Sequence, residues 1–121
     1  MPVPGRAAFD GGELSSEVGA RLGVADGTLD LDTLAPPLEV RPWRAGDRMR
    51  PLGLGGSRSL QDLFTDRKVP RAARARVPVV LSDGEIAWVP GVATGHDFRV
   101  HGATRRHARL AWTPPGRPDR V

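Results

Sequence analysis

The chemistry concentrated in this sequence is that of the guanidinium group. Between Arg41 and Arg76, ten of the eighteen basic residues stand against three acids, Asp47, Asp62 and Asp66, a local charge of +7. Lys68 is the only lysine in the chain. Arginine presents a planar fork of donors that meets phosphate oxygens two at a time and stacks on flat π faces, although a GC-rich genome also enriches it over lysine. Contacts of this kind position a polyanion without reading a base sequence. Other chemistries lack their groups. His96, His101 and His107 fit no metal-ligand spacing, and there is no cysteine to join them. Ser57 and Ser59 are accounted for by a turn and a helix cap, so no nucleophile–base pair stands out. Trp43, Trp88 and Trp112 each sit in or beside an apolar strand, where packing explains them better than base stacking.

Stiff corners must hold these arginines. Leu38 to Trp43 alternates as a strand, with Leu38 and Val40 on one face and Glu39 and Arg41 on the other. A turn at Arg44–Asp47 leads to a second short strand, Arg48-Met49-Arg50, which puts Arg48 and Arg50 on one face. Pro51 and the glycines of PLGLGG then forbid regular structure. Ser59 with Asp62 three residues on predicts a helix start, and Leu60, Leu63 and Phe64 form its single apolar stripe. Val69-Pro70 ends it. Pro70 suits the first turn of a second short helix that Pro78 stops, with Arg71 and Arg74 three apart along it.

Beyond that stretch, VPVVLSDGEIAWVPG (77–91) predicts a hairpin turning at Asp83-Gly84. FRVHG (98–102) and HARLAW (107–112) are further candidate strands. Upstream, the Gly11-Gly12 pair permits a hairpin, and the alternating Leu29 and Leu31 of residues 26–34 fit a half-buried strand. Residues 1–37 carry a charge of −4 and residues 38–121 a charge of +8. The chain is long enough for one domain, and its fifteen glycines and twelve prolines point to a turn-rich one. The absence of cysteine and of any run near the roughly 20 apolar residues of a membrane span predicts a soluble, cytoplasmic protein. The expected organisation is a lead-in over 1–35 that ends a preceding domain, a domain over 36–113, and a disordered tail over 114–121.

LEVRPWRAGDRMRPLG followed by GSRSLQDLFTDRKVPRAARARVPVVLSDGEIAWVPG resembles the C-terminal domain of bacterial tRNA(Ile)-lysidine synthetase over about residues 36–112. The specific marks are the GDR-x-RPLG turn, L-x-D-x-F-x-D-x-K-x-P-R and the WVPG hairpin arm. The resemblance implies an α+β fold: a small β-sandwich-like sheet structure with two short helices, similar to a domain of the phenylalanyl-tRNA synthetase β chain. The family's enzyme uses ATP to ligate lysine to the wobble cytidine of an isoleucine tRNA. That chemistry resides in a domain with a Ser-Gly-Gly-x-Asp-Ser loop, which this sequence lacks, so neither catalysis nor a cofactor is expected of the chain alone. The implied partners are the acceptor stem of the isoleucine tRNA and the catalytic domain, in cis or in trans. Matched by position, Arg48, Arg50, Arg58, Lys68, Arg71 and Arg74 are the implied RNA-binding residues, with Asp47 and Asp62 orienting or capping. An alternative from the charge pattern is a basic protein-interaction module that docks an acidic partner surface, for which residues 1–37 are themselves a candidate.

Overall fold

The run Val79-Val80-Leu81 is apolar at three consecutive positions, and a strand of that kind settles only where both of its faces are covered. The computed structural model, which describes residues 1–116, meets this condition with three layers. In the middle lies the sheet β4-β7-β8-β9, built from β4 (Glu39–Arg41), β7 (Val79–Ser82), β8 (Glu85–Val89) and β9 (Ala93–Thr94). On one side it faces a second sheet, in the order β1-β2-β10-β3, from β1 (Gly5–Phe9), β2 (Gly12–Gly19), β3 (Thr28–Asp30) and β10 (His107–Thr113). On the other lie helix α1 (Leu60–Asp66) and a ribbon of β5 (Arg48–Met49) with β6 (Arg58–Ser59). A four-residue helix, α2 (Arg71–Arg74), links α1 to β7. All strand pairings are antiparallel. The architecture is α+β, two facing sheets with two short helices.

Strand alternation sorts β7 between two cores. Val80 joins Leu14, Leu29, Leu38, Ala108 and Leu110 between the sheets. Val79 and Leu81 join Leu60, Leu63 and Phe64 under α1. A register shift between Val80 and Leu81 lets both Ala87 and Trp88 of β8 enter the inter-sheet core, while Ile86 and Val89 go to the helix side. Trp88 is fully enclosed, and its indole N–H donates to Asp26 at 3.1 Å, so its one polar atom is satisfied. Trp43 meets Phe64 edge-on at 5.5 Å, and Trp112 meets Phe9 at 6.0 Å, so all three tryptophans serve packing.

The second hairpin turns at the expected residues, and the first turns one residue before the expected Gly11-Gly12 pair. Asp83 and Gly84 both take positive φ at the β7–β8 turn, and Asp10-Gly11 does the same between β1 and β2. Ser59 Oγ accepts the Asp62 amide at 3.1 Å and starts α1. Two expected strands come out differently. The strand over 26–34 stops at Asp30, whose carboxylate accepts the Asp32 amide while Thr33 Oγ1 donates to the Asp30 carbonyl. These local bonds turn residues 31–33 into a 3₁₀ helix. FRVHG forms no strand: residues 96–98 make a second 3₁₀ turn that buries Phe98, and Arg99 folds back to donate twice to the His96 carbonyl.

Residues 1–35 supply three of the four strands of the outer sheet, and β10 pairs with both β2 and β3. What reads as a lead-in therefore shares one core with residues 38–112. Of the tail 114–121, residues 117–121 lie outside the described residues. Leu29, completely enclosed in the inter-sheet core, tests this sharing. Leu29→Ala is expected to lower unfolding free energy by about 2–5 kcal/mol in urea titration, against about 0.5 kcal/mol or less for a residue in a dangling segment.

Candidate functional site

The cationic stretch begins with an arginine that is tied inward. Arg41 donates from both terminal nitrogens to Asp47, at 3.0 Å each, and Asp47 also accepts the Arg44 amide at 2.8 Å. The Asp47 carbonyl in turn accepts the amide of Leu60, the first residue of α1. One aspartate thus fixes the 44–47 turn, where Gly46 takes φ +92°, through its carboxylate and joins β4 to the helix start through its carbonyl. Burial pushes the Asp47 carboxyl up, but the hydrogen bonds from Arg41 and the Arg44 amide outweigh it and hold the group below its ordinary value. The same hydrogen bond raises Arg41.

The next arginines face outward on the ribbon. Arg48 lies opposite Ser59, and its guanidinium donates to Ser57 Oγ at 3.1 Å. Arg50 reaches Asp97 at 3.1 Å. The backbone here is clamped to the central sheet: the His96 amide donates to the Arg50 carbonyl at 2.7 Å, Leu52 N–H to Thr94 at 2.8 Å, and Pro51 bridges Gly95. Position 95 itself lies so close to β8 that a Cβ there would stand 2.7 Å from the Ile86 carbonyl oxygen, which requires glycine. Arg48, Arg50, Ser57, Glu85, His96 and Asp97 together rim a groove of about 410 Å³ floored by Met49, Ile86 and Phe98.

Arg58, Lys68 and Arg71 are placed elsewhere on the surface. Arg58 is on the other face of the ribbon from Arg48 and pairs with Asp66 at 2.8 Å. Lys68 closes α1 in a left-handed conformation, φ +58°. Its amide bonds Thr65, and the next amide, Val69, reaches back to Phe64, a Schellman closure in which this position is usually glycine. Arg71 is exposed at the start of α2 and makes no ion pair among the described residues.

Arg74 is a different case. It is 8% exposed, donates to the Val69 carbonyl and to Thr65 Oγ1, and lies 5.5 Å above the Phe64 ring. Three-residue spacing places it beside Arg71, but on so short a helix the side chain turns into the α1–α2 junction, where it holds the two helices together. Three further residues of the site, His96, Asp66 and Asp97, are given no site role by the sequence. His96 groups by type with His101 and His107, yet those two lie apart from it, against Asp30 and the Leu22 amide. Asp66 falls in the L-x-D-x-F-x-D-x-K-x-P-R motif and Asp97 in no pattern, and in neither case does the sequence name the partner, which comes from another element. The acids of residues 1–37 pair with Arg6, His101 and Arg106 among the described residues, and none pairs with the 41–76 stretch.

Fold and face together define a small two-sheet α+β domain with a cationic, turn-built edge. The family model for the TilS substrate C-terminal domain matches residues 38–112, and the chain belongs to that family. It is 42% identical over 95 residues to tRNA(Ile)-lysidine synthase of Symbiobacterium thermophilum, covering 78% of this chain and 20% of that protein. With the synthase of Geobacter sulfurreducens it shares 35% over 104 residues, 81% of this chain and 22% of the other. The bifunctional protein TilS/HprT of Listeria monocytogenes is 42% identical over 102 residues, 84% and 16% of the two chains. The chain thus spans about one fifth of the length of the curated relatives it matches. A crystal structure of a TilS C-terminal domain superposes with a TM-score of 0.81 at 32% identity, over 96% of this chain and 95% of the other.

Two stability measurements test the local geometry. Because the Asp47 carboxyl is depressed in the folded state, its contribution is complete above the ordinary value of 3.8 and is lost as pH falls through the folded value. The deficit of Asp47→Asn in thermal unfolding should therefore hold constant from neutral pH to about 5 and close in more acid solution. Lys68→Gly should stabilise the protein by about 0.5–1 kcal/mol, the relief of left-handed strain less the freedom that glycine adds to the unfolded chain.

Proposed function

We propose that this domain binds transfer RNA, holding the acceptor stem of an isoleucine tRNA while lysine is ligated to the anticodon at an active site elsewhere. The observation that carries this reading is the groove lined by Arg48, Arg50, Ser57 and His96 together with the acids Glu85 and Asp97, in which two guanidinium groups and an imidazole stand on a backbone clamped to the central sheet. Rigid presentation lowers the entropy lost when the side chains engage phosphates. Exposed Arg67, Lys68, Arg71 and Arg76 extend the positive surface beyond α1 and α2. Lys68 supports the reading in its own way: a cation occupies a position whose backbone favours glycine, the kind of local compromise that accompanies function.

The activity, its ATP and the tRNA belong to the full-length relatives, and the catalytic domain would act with this chain in cis or in trans, in the cytoplasm. RNA-binding roles fall to Arg48, Arg50, Arg58, Lys68 and Arg71. Arg74 serves by fixing the α1–α2 junction on which the last two stand.

The test is tRNA binding across a salt gradient. Arg48→Glu with Arg50→Glu should weaken binding at least tenfold and lower the log–log salt slope by about 0.7–0.9 for each phosphate no longer neutralised, with the melting temperature nearly unchanged. Lys68→Gly, though more stable, should bind more weakly. Equal affinity of the double variant and the parent would refute the role of the groove.

A further inference from the structure

Two of the surface arginines are already occupied. Arg50 holds Asp97 at 3.1 Å, with side chains 55% and 51% exposed, and Arg58 holds Asp66 at 2.8 Å, with 36% and 56% exposed. Each pair joins two separate elements: β6 with the end of α1 for Arg58, and the segment after β5 with the 96–98 turn for Arg50. They differ in kind from Arg41–Asp47, where both side chains are only 12% exposed and the carboxylate is also bonded to backbone. That pair is structural. The exposed pairs are weak enough to exchange with a ligand, since ion pairs in water contribute little. Asp66 is also badly placed for its helix. It stands at the last residue of α1, where free carbonyls disfavour negative charge, and no basic residue occupies that turn. Helix stability does not explain an aspartate there.

We propose that Asp97 and Asp66 are internal competitors for the polyanion, two carboxylates that occupy Arg50 and Arg58 until phosphates displace them. The inference rests on the phosphate-binding reading given above and adds a threshold to it. A contact at Arg50 or Arg58 counts only the difference between a phosphate and the resident carboxylate. The freed carboxylate then stands near the RNA and gathers a cation, which offsets part of the counterion release. Arg48, whose partner is the neutral Ser57, carries no such offset.

A double-mutant cycle tests this, read both on heparin and on tRNA across a salt gradient. Asp97→Asn and Asp66→Asn each keep the size of the side chain and remove its charge. Each should tighten binding by about two- to fivefold, the range a weak surface pair allows, and steepen the salt slope. The gain should vanish when Arg50→Gln accompanies Asp97→Asn, and when Arg58→Gln accompanies Asp66→Asn. Asp62→Asn, which removes a neighbouring charge on α1 that makes no ion pair among the described residues, should give a smaller gain. Three results would overturn the proposal: no gain, a loss that marks the carboxylate as an RNA contact itself, or a gain that persists without its arginine or equals that of Asp62→Asn. Should the cycle hold on heparin while the parent fails to bind tRNA, the tRNA reading falls and the competition stands.

Discussion

The central sheet has no face to spare for water, and the rest of the structure follows from that constraint. Val79 and Leu81 need cover on one side and Val80 and Trp88 on the other, so a layer must form against each. The outer sheet meets one demand with Leu14, Leu29, Ala108 and Leu110, and α1 meets the other with Leu60, Leu63 and Phe64. The ribbon and glycine loop are hung on this arrangement through backbone bonds to β9 and the 95–96 corner. A surface built of two-residue strands has almost no stability of its own. Its geometry is borrowed from the sheet behind it.

Features that depend on near neighbours in sequence were legible. Aspartate–glycine turns, the Ser59 cap, the apolar stripe of α1 and the β7–β8 hairpin all rest on contacts a few residues apart, and all appear in place. What escaped depends on distant pairing. The pattern of residues 1–35 permits a hairpin and a strand but does not show that they belong to this fold, because β2 and β3 pair with β10 about eighty to a hundred positions away, and the edge strand β1, paired only with β2, needs few apolar residues. Arg74 escaped for a related reason. A period places a residue on a helix face, but it does not say that the face of a one-turn helix will be drawn into a junction by a carbonyl and an aromatic ring.

The arginines divide by what their partners leave free. Arg41 and Arg74 are spent on architecture: one locks the 44–47 turn, the other the link between helices. Arg50 and Arg58 stand in exchangeable pairs, and Arg48 leans on a hydroxyl. Charge counting gives all of them equal weight, so a local charge of +7 overstates the cations that can meet a ligand directly. The electrostatic strength of the face is set less by the number of arginines than by the exposure and mobility of the acids beside them.

The acids are also what make such a face compatible with a folded protein. Crowding guanidinium groups onto short, stiff corners raises their mutual repulsion, and an unpaired cluster would push the ribbon away from α1. Asp66 and Asp97 relieve that repulsion by bridging the elements that carry Arg58 and Arg50. On the proposed reading, a phosphate arriving at either arginine would take over the neutralising role as the carboxylate leaves. Buried pairs could not do this, because breaking one would strand a charge away from water. Half-exposed pairs can, which gives a physical reason for building the outer arginines with partners that water can reach.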